Sequence, residues 1–139
     1  MKNNDRLIFL LGQARHRIMT NLDKSLLKTS GITSAQSGAL FYLMKNNGCL
    51  LSELSEALML DSSAITGMVD RLEKKKLIKR QNSTSDRRAI NIYLTGPGHE
   101  AAAKALSVVK KYGNAIRKGY SSDEIHVFRS VLQSIIDNF

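Results

Sequence analysis

The stretch "LSELSEALMLDSSAITGMVDRLEKKKLIKRQNSTSDRRAINIYLT", Leu51 to Thr95, changes its hydrophobic period partway along, and that change decides the fold. Leu54 and Leu58 carry a short helix around Ser52 to Leu58. Asp61 and Ser62 then offer an N-cap, and Ile65, Met68, Val69 and Leu72 recur at helical spacing to about Lys75. From Ile78 the period falls to two. Strands are predicted at about Ile78 to Gln81 and Ala89 to Leu94, with Ile90, Ile92 and Leu94 on one side and Asn91 and Tyr93 on the other. The polar "NSTSDRR" between them reads as the exposed tip of a hairpin. Two helices joined by a tight connection, preceded by another helix, make a helix-turn-helix pattern.

The outward face of the second of these helices has a chemistry of its own. With Ile65 at zero and about 100° per residue, Met68, Val69 and Leu72 fall on the buried side. Ser63, Thr66, Gly67, Asp70, Arg71 and Lys74 fall opposite. Short side chains at the start, Ser62 included, let a helix N-terminus approach a groove where hydroxyls and free N–H groups meet phosphates or base edges. Arg71 and Lys74 reach outward further along. From Arg71 to Arg88 there are eight basic residues against two acidic ones, so +6 of the chain's net +9 lies in this short segment.

Outward from that centre, Leu7, Leu11, Ala14, Ile18, Leu22 and Leu26 form one stripe of a long first helix, Asp5 to about Leu27. Thr33 or Ser34 caps a second, with Leu40, Leu43 and Met44 inward, that runs to the break at Asn46 to Gly48. After "TGPG" a fifth helix is predicted from about Gly98 to Lys118, with Ala102, Ala105, Val109, Tyr112 and Ile116 on one face. Ser121 and Glu124 form a capping box for a last helix with Ile125, Phe128, Leu132, Ile135 and Phe139 inward. No internal repeat or low-complexity segment is visible.

At 139 residues the chain fits one domain, and its single proline favours long helices over a turn-rich β architecture. A net charge of +9 with pI about 9.9 points to a polyanionic partner. No apolar run approaches a membrane span and the N-terminal stretch lacks a signal-peptide pattern, so a cytoplasmic protein is expected. Cys49 is the only cysteine and is expected to be a small buried hydrophobe. It excludes an intrachain disulfide, and His16, His99 and His126 have no metal-ligand spacing. No metal, cofactor or catalytic constellation is expected, and the chain reads as a non-enzyme.

The Leu51 to Thr95 stretch resembles the DNA-binding region of the MarR family of bacterial winged-helix transcriptional regulators. The motifs that carry the likeness are "LSEL" before the turn, "VDRLEKKKLIKR" over the recognition helix and first wing strand, and Asp86-x-Arg88 followed by Leu94-Thr95. The resemblance implies a mainly α fold with a small β hairpin. Residues 33–96 would form a winged helix-turn-helix lobe, and residues 1–32 and 97–139 the dimerisation helices of a single domain. It implies a cytoplasmic homodimeric repressor on double-stranded DNA with a pseudo-palindromic operator, relieved by a small ligand. Recognition helices would enter major grooves, through Ser62, Ser63, Thr66, Gly67, Arg71 and Lys74. The wing would reach the minor groove through Arg87 and Arg88, with Asp86 holding the wing arginine or an arginine of the recognition helix in place. Arg15, alone in the apolar stripe of the first helix, would pair with a small aromatic carboxylate effector.

Two positions depart from the family pattern. Lys76 stands where glycine usually ends the recognition helix, and Gly67 replaces a larger, often polar residue facing the groove. The alternative reading is a winged-helix interaction module that binds protein or anionic surfaces without reading sequence.

Overall fold

The computed structural model describes residues 6–86 and 88–139. Asp5 and Arg87, both named above, lie outside the described residues. The elements run α1 (Leu7–Ser30), α2 (Ser34–Lys45), β1 (Cys49–Leu50), α3 (Leu51–Ala57), α4 (Ser62–Lys74), β2 (Ile78–Asn82), β3 (Ile90–Leu94), α5 (Gly96–Arg117) and α6 (Ser122–Asn138). The chain divides into two compact units after Val108.

Local chemistry explains the boundaries. α1 continues three residues past the expected Leu27, until Gly31 turns left-handed (φ 72°) and its N–H meets the carbonyls of Leu26 and Leu27. Thr33, the first of the two caps considered, closes a capping box with Gln36. Asp61 caps α4, its Oδ1 accepting from the Ala64 N–H at 2.8 Å. α5 begins two residues earlier than expected. Thr95 Oγ1 accepts from the Gly98 N–H at 3.0 Å while donating to the Lys76 carbonyl at 2.7 Å, and Pro97 is tolerated in the first turn. Gly98 permits that junction, since a Cβ there would stand 2.0 Å from the Leu77 carbonyl oxygen.

The core of the first unit is built from Leu26, Ile32, Leu40, Leu43, Leu54, Ile65, Val69, Leu72 and Ile92, none more than 2 % exposed. Every apolar residue expected on the inner face of α4 is buried there. Ala101, Ala102, Ala105 and Val108 of α5 are buried too. Met44, expected inward, is exposed, because only one flank of α2 meets the core.

The sheet has three antiparallel strands in the order β1-β3-β2. Ile78 pairs with Leu94 and Arg80 with Ile92, giving the expected hairpin. β1 was not expected. Its two residues oppose Ile92 and Asn91 on the far side of β3, and its attachment is made mostly by what precedes it. The Gly48 N–H donates to the Ile92 carbonyl at 2.8 Å, Asn91 Nδ2 donates to the Gly48 carbonyl at 2.8 Å, and Asn47 Oδ1 accepts from the Leu94 N–H at 2.8 Å.

In the second unit, α6 opens with the expected capping box of Ser121 and Glu124. Ile125 and Leu132 are half-buried, but Phe128, Ile135 and Phe139, expected inward, are exposed in the single chain. Among the described residues no helix is long and apolar enough to cross a membrane.

Candidate nucleic-acid interface

α4 presents Ser62, Ser63, Thr66, Arg71 and Lys74 to solvent, with Gly67 and Asp70 half-buried at the margin. The hydroxyls differ in availability. Thr66 Oγ1 donates to the Ser62 carbonyl one turn back (2.7 Å), and Ser63 Oγ donates to Asp61 Oδ1 (3.0 Å). Both therefore offer lone pairs rather than a free O–H, whereas the Ser62 hydroxyl has no partner among the described residues. Hydrogen bonds from the Ala64 N–H and the Ser63 hydroxyl hold the Asp61 carboxyl below its ordinary pKa, so the cap is charged at neutral pH and fixes the N-terminal turn of α4.

The basic cluster is not uniform, and sequence reasoning missed this. Arg80 is clamped: Nη1 lies 2.8 Å from Asp70 Oδ1, and Nη2 2.8 Å from Glu73 Oε1. Nε also reaches Glu73 Oε1, and the Arg80 backbone N–H donates to Glu73 Oε2 at 3.2 Å. These bonds hold the Glu73 carboxyl below the usual range and push the Arg80 guanidinium up. A signal for the clamp was present. Strand alternation puts Arg80 on the same side as buried Ile78, facing α4, while Lys79 points away. Lys75 is committed as well, its Nζ donating to the Gly31 carbonyl at 2.7 Å and to Gln36 Oε1 at 3.3 Å. Among the described residues Arg71, Lys74 and Arg88 make no ion pair. The clamp thus engages both acids of α4, Asp70 and Glu73, with a residue of β2.

At the wing, Asp86 Oδ1 accepts from the backbone N–H of Arg88 at 2.9 Å, and its carbonyl accepts from the Ala89 N–H. The expected hold on a wing arginine falls in part on Arg87, which lies outside the described residues. Among the described residues Asp86 shapes the turn through the main chain and makes no ion pair with the Arg88 guanidinium or with an arginine of α4. The Arg88 side chain is exposed and lines a hollow of about 410 Å³ together with Ser62, Ile65, Thr66, Leu51 and Ile90. Wing and recognition-type helix therefore share one concave surface. Arg15 is not part of it. It lies on an exposed stretch of α1 without an ion pair among the described residues. The Cys49 thiol is buried and its pKa is pushed up, first by burial and then by Glu53. Reactive thiols need the opposite shift.

Comparison with known proteins fits this geometry. The MarR family model matches residues 32–90. The organic hydroperoxide resistance transcriptional regulator of Bacillus subtilis (strain 168) is 37% identical over 108 residues, covering 78% of this chain and 73% of that protein. The HTH-type transcriptional repressor MdtR of the same organism is 28% identical over 96% of this chain and 91% of its own length. Among solved structures, an S. aureus MepR-DNA complex superposes with a TM-score of 0.89 at 23% identity, covering 96% of this chain and 98% of that one.

Proposed function

Because this chain belongs to the MarR family, we propose that it is a homodimeric, sequence-specific double-stranded DNA-binding repressor in the cytoplasm that carries no reaction of its own. The observation that supports this most directly is the shared concave surface. Arg88 of the wing lines it together with Ser62 and Thr66 of α4, while Arg71 and Lys74 stand exposed and without an ion pair further along the same helix. In this reading residues 33–96 are the DNA-binding lobe and residues 1–32 and 97–139 dimerise. Ser62, Ser63, Thr66, Gly67, Arg71 and Lys74 face the major groove, and Arg87, Arg88 and the turn built by Asp86 serve the wing.

The dimer is supported by α1, whose residues Leu7 to Leu11 are consecutive, all apolar and 44 to 80 % exposed. A helix apolar on every side needs cover on every side, and a second copy supplies it. The effector is read as a small aromatic carboxylate paired with Arg15, supported by a guanidinium set among the apolar residues of that helix.

Selection of duplexes from a random-sequence pool tests the reading. The expected product is a pseudo-palindrome with half-site centres about one turn, roughly 10 bp, apart. Recovery of no preferred sequence, with binding to anionic vesicles equal to that to DNA, would return the chain to a non-specific interaction module. Adding benzoate-type acids to the same assay tests the effector site. Release that persists undiminished in an Arg15→Ala variant removes Arg15 from it.

A further inference from the structure

Glycine in the interior of a helix is unfavourable compared with alanine, so Gly67 in the second turn of α4 calls for a reason. The surroundings of the missing side chain supply one. A Cβ built at Gly67 would stand 3.3 Å from Arg71 Nη1, 3.7 Å from Nη2 and 3.8 Å from Cζ. The guanidinium of Arg71 therefore folds back over one helical turn and rests against the bare backbone at Gly67. This is the direction in which helical side chains at i+4 naturally lean. It has no hydrogen-bond or ion-pair partner among the described residues, and the two acids of α4, Asp70 and Glu73, neighbour it in sequence but turn to other faces of the helix, where Arg80 engages them. Its donors are thus held near the N-terminal half of α4, the half whose small residues permit close approach, yet are not spent on protein acceptors.

We propose that Gly67 is a specificity-determining positioning residue. By carrying no side chain it seats the Arg71 guanidinium against α4, in the pose from which Arg71 hands two N–H donors to O6 and N7 of a guanine in the major groove. The glycine touches no base itself. A methyl group at 67 pushes the guanidinium off its seat by a few tenths of an ångström and leaves the flexible side chain without a fixed origin. The proposal rests on the DNA-binding reading above, and it goes further by naming the base and the residue pair that selects it.

Gly67→Ala is the test, because folding and recognition should move in opposite directions. The variant should melt about 3 °C higher, as glycine-to-alanine changes in helices do. It should bind the duplex selected by the wild type about tenfold more weakly, within the range that one bidentate arginine–guanine contact discriminates. Affinity for random duplex should stay within about twofold, since phosphate contacts are untouched. In an Arg71→Ala background, Gly67→Ala should have no further effect on the selected duplex. Replacing the selected guanine by 7-deazaguanine, which lacks the N7 acceptor, should weaken the wild type and leave Gly67→Ala almost unchanged. Equal losses from Gly67→Ala with and without Arg71 would overturn the proposal, showing that the glycine serves backbone approach instead. Undiminished selected-duplex affinity in Gly67→Ala overturns it as well. A wild-type protein that selects no sequence at all fails at the first step, and that outcome removes the DNA-binding reading together with this one.

Discussion

Lys76 occupies the left-handed region, with φ 63°, where α4 gives way to β2. The surrounding bonds make a Schellman motif: the Leu77 N–H reaches the Leu72 carbonyl and the Lys76 N–H the Glu73 carbonyl. Glycine is the residue that adopts this conformation without a clash, and lysine holds it because the motif and the Thr95 bond to its carbonyl leave no alternative path. Lys76→Gly should therefore raise unfolding stability by about 1 kcal/mol, read from the midpoint of a urea titration. A lower midpoint would show that the lysine side chain contributes more than its backbone costs. Met59 has the same geometry at the end of α3, with φ 53° and the bonds from the Leu60 N–H to the Ser55 carbonyl and from the Met59 N–H to the Glu56 carbonyl. The position of Lys76 was legible through the family resemblance, in which glycine usually stands at this end of the recognition helix. Met59 gave no such sign, because nothing in methionine's chemistry marks a left-handed turn.

At the scale of elements, α4 is tied at its C-terminal end to two other parts of the fold. Arg80 binds it to β2, and Lys75 binds it to the turn between α1 and α2, where the Gly31 carbonyl ends α1 and attracts a cation. Lys74 and Lys75 are adjacent in sequence and identical in charge, so charge counting treats them alike. The structure separates them. Lys74→Met should weaken binding to any duplex and lower the dependence of log K on log salt by about one unit, the signature of one lost phosphate contact. Lys75→Met should leave that slope unchanged, because its ammonium already has protein partners. Titrations between about 50 and 200 mM salt compare the two, and equal slopes for both variants would contradict the assignment. Helices were legible because their apolar residues repeat over several turns, and caps such as Asp61 and Ser121 marked their starts. β1 was not, since two residues cannot show a period, and its pairing depends on the Asn47 side chain reaching β3 and the Asn91 side chain of β3 reaching Gly48, across a long gap in sequence.

For the whole molecule, the apolar residues left uncovered in a single chain set the expected assembly. Phe9 is 63 % exposed and sits within the unbroken apolar run of α1, so replacing it by a charge places that charge where the partner subunit must pack. Phe9→Glu should shift sedimentation at micromolar concentration from dimer toward monomer, without unfolding the lobe, whose core lies elsewhere. A variant that remains fully dimeric would exclude this end of α1 from the interface. The outward orientation of Phe128 and Phe139 could not be read from helical spacing, because an amphipathic stripe looks the same whether its own chain or another covers it. The clamp on Arg80 also bears on how such a protein survives at high concentration. β2 is one of the two outer strands of the sheet and the longer of them, and an outer strand offers its free amides to any passing chain as a template for growth into fibres. The Glu73 carboxylate already occupies the outward N–H of Arg80 at 3.2 Å, and charged Lys79 stands beside it. The same ion pair that ties β2 to α4 thus helps to close this edge of the sheet against aggregation.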